Sequence, residues 1–148
     1  MWPCLCPGAR LFYAYNPDKY YHCDVMSEKG KKTLVIGASL NPARQSNFAV
    51  RNLDRLGHDV IAVGLKPGTI NEVPIQTEFP KDQDIHTITL YLNATHQDAI
   101  KEFLLTAHVK RVIFNPGAEN KDLMNQLRSE GVHAFEACTM VMLNTGQY

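Results

Sequence analysis

The residues best suited to hold a ligand fall in one short stretch, Gly37-Ala38-Ser39-Leu40-Asn41-Pro42-Ala43-Arg44-Gln45-Ser46. It follows a β-branched apolar run and leads into a helical pattern, so it joins a strand to a helix N-terminus. Free backbone N–H groups and the helix dipole favour an anion there, and a phosphate is the natural guest. Gly37 permits a tight turn and close backbone approach, Ser39 and Ser46 offer hydroxyl donors, and Arg44 can pair with a phosphate in bidentate fashion. A merely polar loop with a capping serine would carry the same residues, so this stretch alone does not decide the matter.

Negative features narrow the guest. A dinucleotide fingerprint needs three glycines at G-x-G-x-x-G spacing and an acidic residue closing the second strand. Here that strand ends in Gly64-Leu65-Lys66-Pro67-Gly68, where Lys66 attracts a phosphate in place of a ribose diol. NAD is disfavoured accordingly. No Gly-Lys-Ser/Thr closes the first loop, so phosphoryl transfer has no support.

A candidate nucleophile is present, and a bland reading stands beside it. Cys138 stands near a helix start, with His96 and Glu136 in neighbouring loops, a set that could act as thiol and base. A buried structural cysteine and a solvated histidine account for the same residues. The other histidines, at 22, 58, 86, 108 and 133, show no metal spacing, and Glu119 suits the first turn of a helix by its charge alone. No metal and no complete catalytic apparatus are expected.

The elements that must position these groups follow from periodicity. Strands are expected at Thr33 to Gly37, Val60 to Val63, Thr87 to Leu92, Arg111 to Phe114 and His133 to Ala137. Ser46 is expected to cap a helix presenting Ala49, Leu53 and Leu56, with Gly57 as its stop. Thr95 and Asp98 read as a capping box before Ile100, Phe103, Leu104 and Ala107. Leu123, Met124 and Leu127 define a further helix, and 139–144 a short closing one. Prolines 67, 74 and 80 leave 64–84 as loop with at most one short extended piece. Strand and helix alternation implies an α/β, Rossmann-like doubly wound sheet of five mainly parallel strands, with helices on both faces. Ligands of such sheets bind beyond the carboxyl ends of the strands, where the strand order switches.

The 148 residues suffice for one domain, and 15 basic residues balance 15 acidic ones. A neutral chain lacks the field for nonspecific nucleic-acid binding, and no apolar run is long enough to span a bilayer. Residues 1–25 carry aromatics among prolines with no period and read as a non-core leader. Met26 opens a polar lead into the first strand, as a natural start would, giving a domain over 26–148. Cys4, Cys6, Cys23 and Cys138 have neither disulfide-framework nor zinc spacing, which suits reduced thiols and a cytoplasmic location.

From Lys32 to Tyr148 the chain resembles the small stand-alone CoA-binding domain proteins, which are similar to the N-terminal CoA-binding domain of the succinyl-CoA synthetase α subunit. The resemblance rests on Val35-Ile36-Gly37-Ala38-Ser39 with Asn41-Pro42, on Val63 to Gly68, on Phe114-Asn115-Pro116-Gly117, and on Glu136-Ala137-Cys138-Thr139 with Thr145-Gly146-Gln147-Tyr148. It implies coenzyme A or acyl-CoA as ligand, held by Ala38, Ser39, Asn41, Arg44, Lys66, Asn115 and Gly117, with Asn93 at the third strand end. Lys66 is not in perfect register with the synthetase pattern. The phosphorylated histidine of the synthetases belongs to a second domain, so the resemblance implies CoA binding without ligase chemistry. A thioester-handling enzyme using Cys138 and an NAD(P) or flavin reader remain the alternatives, and a homo-oligomer or an acyl-CoA enzyme partner stays open.

Overall fold

The computed structural model describes residues 30–81 and 83–148. The expected leader over 1–25 and the start at Met26 lie outside the described residues.

Seven strands form one sheet: β1 (Thr33–Ile36), β2 (Val60–Val63), β3 (Gly68–Ile70), β4 (Val73–Gln76), β5 (Thr87–Leu90), β6 (Arg111–Phe114) and β7 (His133–Glu136). Their order is β3-β4-β2-β1-β5-β6-β7. Every pairing is parallel except that of β3 with β4, which is antiparallel. The helices are α1 (Gln45–Arg55), α2 (Ala94–Gln97), α3 (Lys101–Thr106), α4 (Lys121–Ser129) and α5 (Thr139–Asn144), with a 3-10 turn at Asp98–Ile100 joining α2 to α3.

The central strands are buried on both faces because their side chains alternate between two cores. Leu34, Ile36, Ile88, Leu90, Val112 and Phe114 turn to the side holding Leu104, Leu123 and Leu127 of α3 and α4. Val35, Ala62 and Ile75 turn to the other side, against Val50 and Leu53 of α1. From β1 the chain builds outward through β2, then returns to the far side of β1 as β5. Two loops therefore diverge at the carboxyl ends of β1 and β5, and a crevice opens between them.

Four expectations need correction. The sheet has seven strands, not five, because 70–73 reverses the chain into a β3–β4 hairpin; Asn71 supplies a positive φ of 53° at the turn. Pro74 masked this strand, yet Val73 and Ile75 are buried on alternate positions around it. Ser46 is not the α1 cap: Arg44 holds that position with no side-chain hydrogen bond, and Ser46 lies buried in the first turn. Leu56 follows the helix and is 48% exposed. Asn93, not Thr95, caps α2, accepting the His96 backbone N–H.

At the opposite edge, where the parallel strands begin, Tyr148 folds back onto the sheet. Its hydroxyl lies 2.7 Å from that of Thr33, and the Arg111 guanidinium sits 4.5 Å from its ring centre. Burial raises its pKa, against the pull of the Thr33 hydroxyl and the Arg111 charge.

Candidate functional site

The crevice at the carboxyl edge has a volume of about 930 Å³, within the range of small-molecule sites. Four loops build it: 37–44 after β1, 64–67 after β2, 91–93 after β5, and 115–120 after β6. All the sequence-predicted binding residues line it except Asn115: Gly37, Ala38, Ser39, Asn41, Arg44, Ser46, Lys66, Asn93 and Gly117.

The first loop is held by hydrogen bonds that decide which of its amides stay free. Gly37 and Ala38 both donate their backbone N–H to the Val63 carbonyl, at 3.0 and 2.9 Å. These two amides brace β1 against β2 and are not available to an anion. Asn41 Oδ1 accepts the Ala43 N–H at 3.0 Å and the Asn41 carbonyl accepts the Arg44 N–H at 3.0 Å, folding a tight turn just before α1. Asn47, buried in α1, donates from its side chain to the Ser39 carbonyl at 2.8 Å and fixes the loop to the helix. The first-turn amides of Gln45 and Ser46 have no internal acceptor among the described residues. They are the helix-end donors that suit a phosphate oxygen.

Two glycines are required by this geometry. Gly37 has φ of +93°, and a β-carbon there would also press on the Tyr91 carbonyl at 3.0 Å. A β-carbon on Gly64 would collide with the Ala38 carbonyl oxygen. The loops after β1, β2 and β5 can therefore approach one another only as they do here.

Charge and apolar surface meet across the crevice. Arg44 and Lys66 are exposed and form no ion pair among the described residues. Leu65, 96% exposed, and Leu40, 44% exposed, form an apolar lip beside them. On the far wall, Gly117 (φ +92°) donates its N–H to Glu119 Oε2 at 2.9 Å. That bond and the residue's own backbone N–H hold the Glu119 carboxyl below its usual range.

Asn115 is buried below the crevice floor. Its amide donates to Thr89 Oγ1 at 2.6 Å and to the Leu90 carbonyl at 3.0 Å, while its Oδ1 accepts the Thr139 N–H at 2.8 Å. It binds three segments of the scaffold together. Gln97, also buried, donates to the Leu92 carbonyl at 2.8 Å and the Ala118 carbonyl at 2.7 Å, fixing the β5 and β6 loops relative to each other.

Of the thiol, imidazole and carboxylate considered from sequence, only His96 lines the crevice. Cys138 is half-buried at the start of α5, and Glu136 is exposed at the end of β7. Among the described residues no His, Cys, Asp or Glu cluster could hold a metal, and no helix is long and apolar enough to cross a membrane.

A family model described as a CoA binding domain matches residues 31–144. The chain belongs to this CoA-binding domain family. A crystal structure of an uncharacterized protein is 37% identical to this CoA-binding domain, with a TM-score of 0.78, covering 82% of this chain and 100% of that one. A conserved hypothetical protein from Pyrococcus furiosus is 27% identical, with a TM-score of 0.65 over 75% of this chain and 97% of that one. A Thermus thermophilus structure, cell-free ID.343, shares the fold at 13% identity and a TM-score of 0.72, covering 80% and 91%. No curated protein matches the chain.

Sequence reasoning missed Tyr91, Leu65, Leu40 and Pro116 in the lining. Tyr91 follows directly on a fully buried strand and shows no polar pattern of its own. Its hydroxyl is buried near those of Thr89 and Thr139 without a well-formed hydrogen bond to either, and burial pushes its pKa up to about 12. Leu65 was the legible one, since a leucine beside a loop lysine offers apolar contact next to a charge.

Proposed function

We propose that this CoA-binding domain binds coenzyme A or an acyl-CoA in the crevice, as a binding module without catalytic machinery of its own. The observation that carries the reading is that Arg44, Lys66 and the first-turn residues Gln45 and Ser46 of α1 all line the one crevice. Among the described residues these cationic and N–H donors have no internal acceptor or ion-pair partner, and the exposed apolar side chains of Leu40 and Leu65 line the same crevice. A phosphorylated adenosine carrier with an uncharged arm matches both halves. Its phosphates lie against 44–46 and Lys66, and its less polar parts lie along the leucine lip and the Tyr91–Asn93 corner. The family match supports the same ligand class.

Isothermal titration calorimetry with CoA and acetyl-CoA tests the reading. Micromolar or tighter binding is expected, accompanied by a thermal shift that grows with ligand concentration. The absence of both binding heat and thermal shift at millimolar CoA would overturn it.

A further inference from the structure

The corner between β5 and α2 fixes its own proton positions. Asn93 Oδ1 lies 3.3 Å from the His96 backbone N, 2.7 Å from Thr95 Oγ1 and 2.7 Å from His96 Nδ1. A backbone N–H can only donate, so the Asn93 atom facing it is the carbonyl oxygen and the amide orientation is settled. His96 Nδ1, facing that same oxygen, must then carry a proton. A neutral His96 consequently bears its lone pair on Nε2.

Both side chains are exposed and line the crevice. An asparagine on its own can read an aminopurine with both ends of its amide. Here its oxygen already takes three internal donors, which leaves Nδ2 as a donor and passes the acceptor role to His96 Nε2. The corner therefore presents one obligatory donor beside one obligatory acceptor.

We propose that Asn93 and His96 form a base-reading pair, with Asn93 Nδ2 donating to a ring nitrogen of adenine and His96 Nε2 accepting from the adjacent 6-amino group. The proposal rests on the CoA reading and adds selection of the base. Hypoxanthine, which replaces the amino donor with a carbonyl, would set its oxygen against the Nε2 lone pair.

The test is calorimetry at pH 8 with CoA, its hypoxanthine analogue and pantetheine, alongside nitrogen-15 NMR of the histidine rings. The wild type should prefer CoA over the analogue by about tenfold, the scale of a paired base contact. His96→Phe should lose that preference by weakening CoA alone, and His96→Gln, which keeps an acceptor, should retain part of it. NMR should show His96 as the Nδ1–H tautomer, and Asn93→Ala should release it to a mixture. Equal wild-type affinity for CoA and the analogue, or an Nε2–H tautomer, would overturn the pair while leaving CoA binding intact. Loss of pantetheine binding in His96→Phe as large as the loss of CoA would reassign the pair to the ligand's amide arm. No binding of CoA to the wild type would instead overturn the CoA reading, and base selection with it.

Discussion

The hydroxyls of Thr89 and Thr139 meet at 2.7 Å beneath the crevice, and Asn115 closes the arrangement by donating to Thr89 and accepting from the Thr139 amide. Thr89, Asn115 and Thr139 are all buried, so β5, the β6 loop and the start of α5 are joined by polar groups that water does not reach.

Asn115→Ala should therefore act on stability. It removes the partner of the buried Thr139 N–H and a donor to Thr89, and leaving such groups unpaired costs about 2–3 kcal/mol. Urea denaturation should show a lower midpoint with an unchanged slope. A midpoint equal to the wild type would mean that the cluster contributes nothing.

Arg44→Ala and Lys66→Ala should leave the denaturation midpoint unchanged, because both side chains are exposed and form no ion pair among the described residues. Each should weaken CoA binding by about three- to tenfold and flatten its dependence on salt, since screened charge contacts are removed. Calorimetry at two salt concentrations measures both effects, and an undiminished salt dependence in the double variant would place the phosphates elsewhere.

Gly64→Ala should force the β2 loop away from Ala38, because the added carbon meets a backbone carbonyl that cannot rotate aside. Overpacking of this kind costs about 1–3 kcal/mol. CoA affinity should fall as well, through displacement of Lys66. Thermal denaturation and calorimetry together would show whether the two losses are coupled.

Stability should also decline in alkali. Burial raises the Tyr91 pKa from 10.0 to about 12. Between those values the unfolded chain has released a proton that the native state still holds, so unfolding becomes easier as pH rises. The contribution is complete below pH 10 and gone once pH passes 12, a change on the order of 2 kcal/mol. Tyr91→Phe should flatten that decline in part, with the raised pKa of Tyr148 acting in the same direction, and at neutral pH it should cost little because the hydroxyl has no well-formed hydrogen bond among the described residues. A denaturant series across the alkaline range gives both slopes.

The parallel core and the location of the site were legible because their signals are local. Leu34-Val35-Ile36 and Val112-Ile113-Phe114 read as strands buried on both faces, and Gly37 and Lys66 mark the loops that follow the first two strands. The hairpin was hidden because Pro74 suppresses a strand signal. It is tolerated because Val73 and Ile75, on either side of it, still face the core. Asn115 was correctly tied to the fourth strand end but not to its scaffold role. An asparagine that holds Thr89 and Thr139 has the same local sequence as one that touches a ligand. Both helix caps were misplaced by two residues for a related reason: Thr95 and Ser46 suit a cap, but Asn93 and Arg44 occupy it.

Because Tyr148 is stitched to Thr33 where the strands begin, a linker added after it would leave from the face opposite the crevice. Immobilising the protein through that residue should keep the mouth turned toward solution and give sensor-surface affinities equal to those of the free protein.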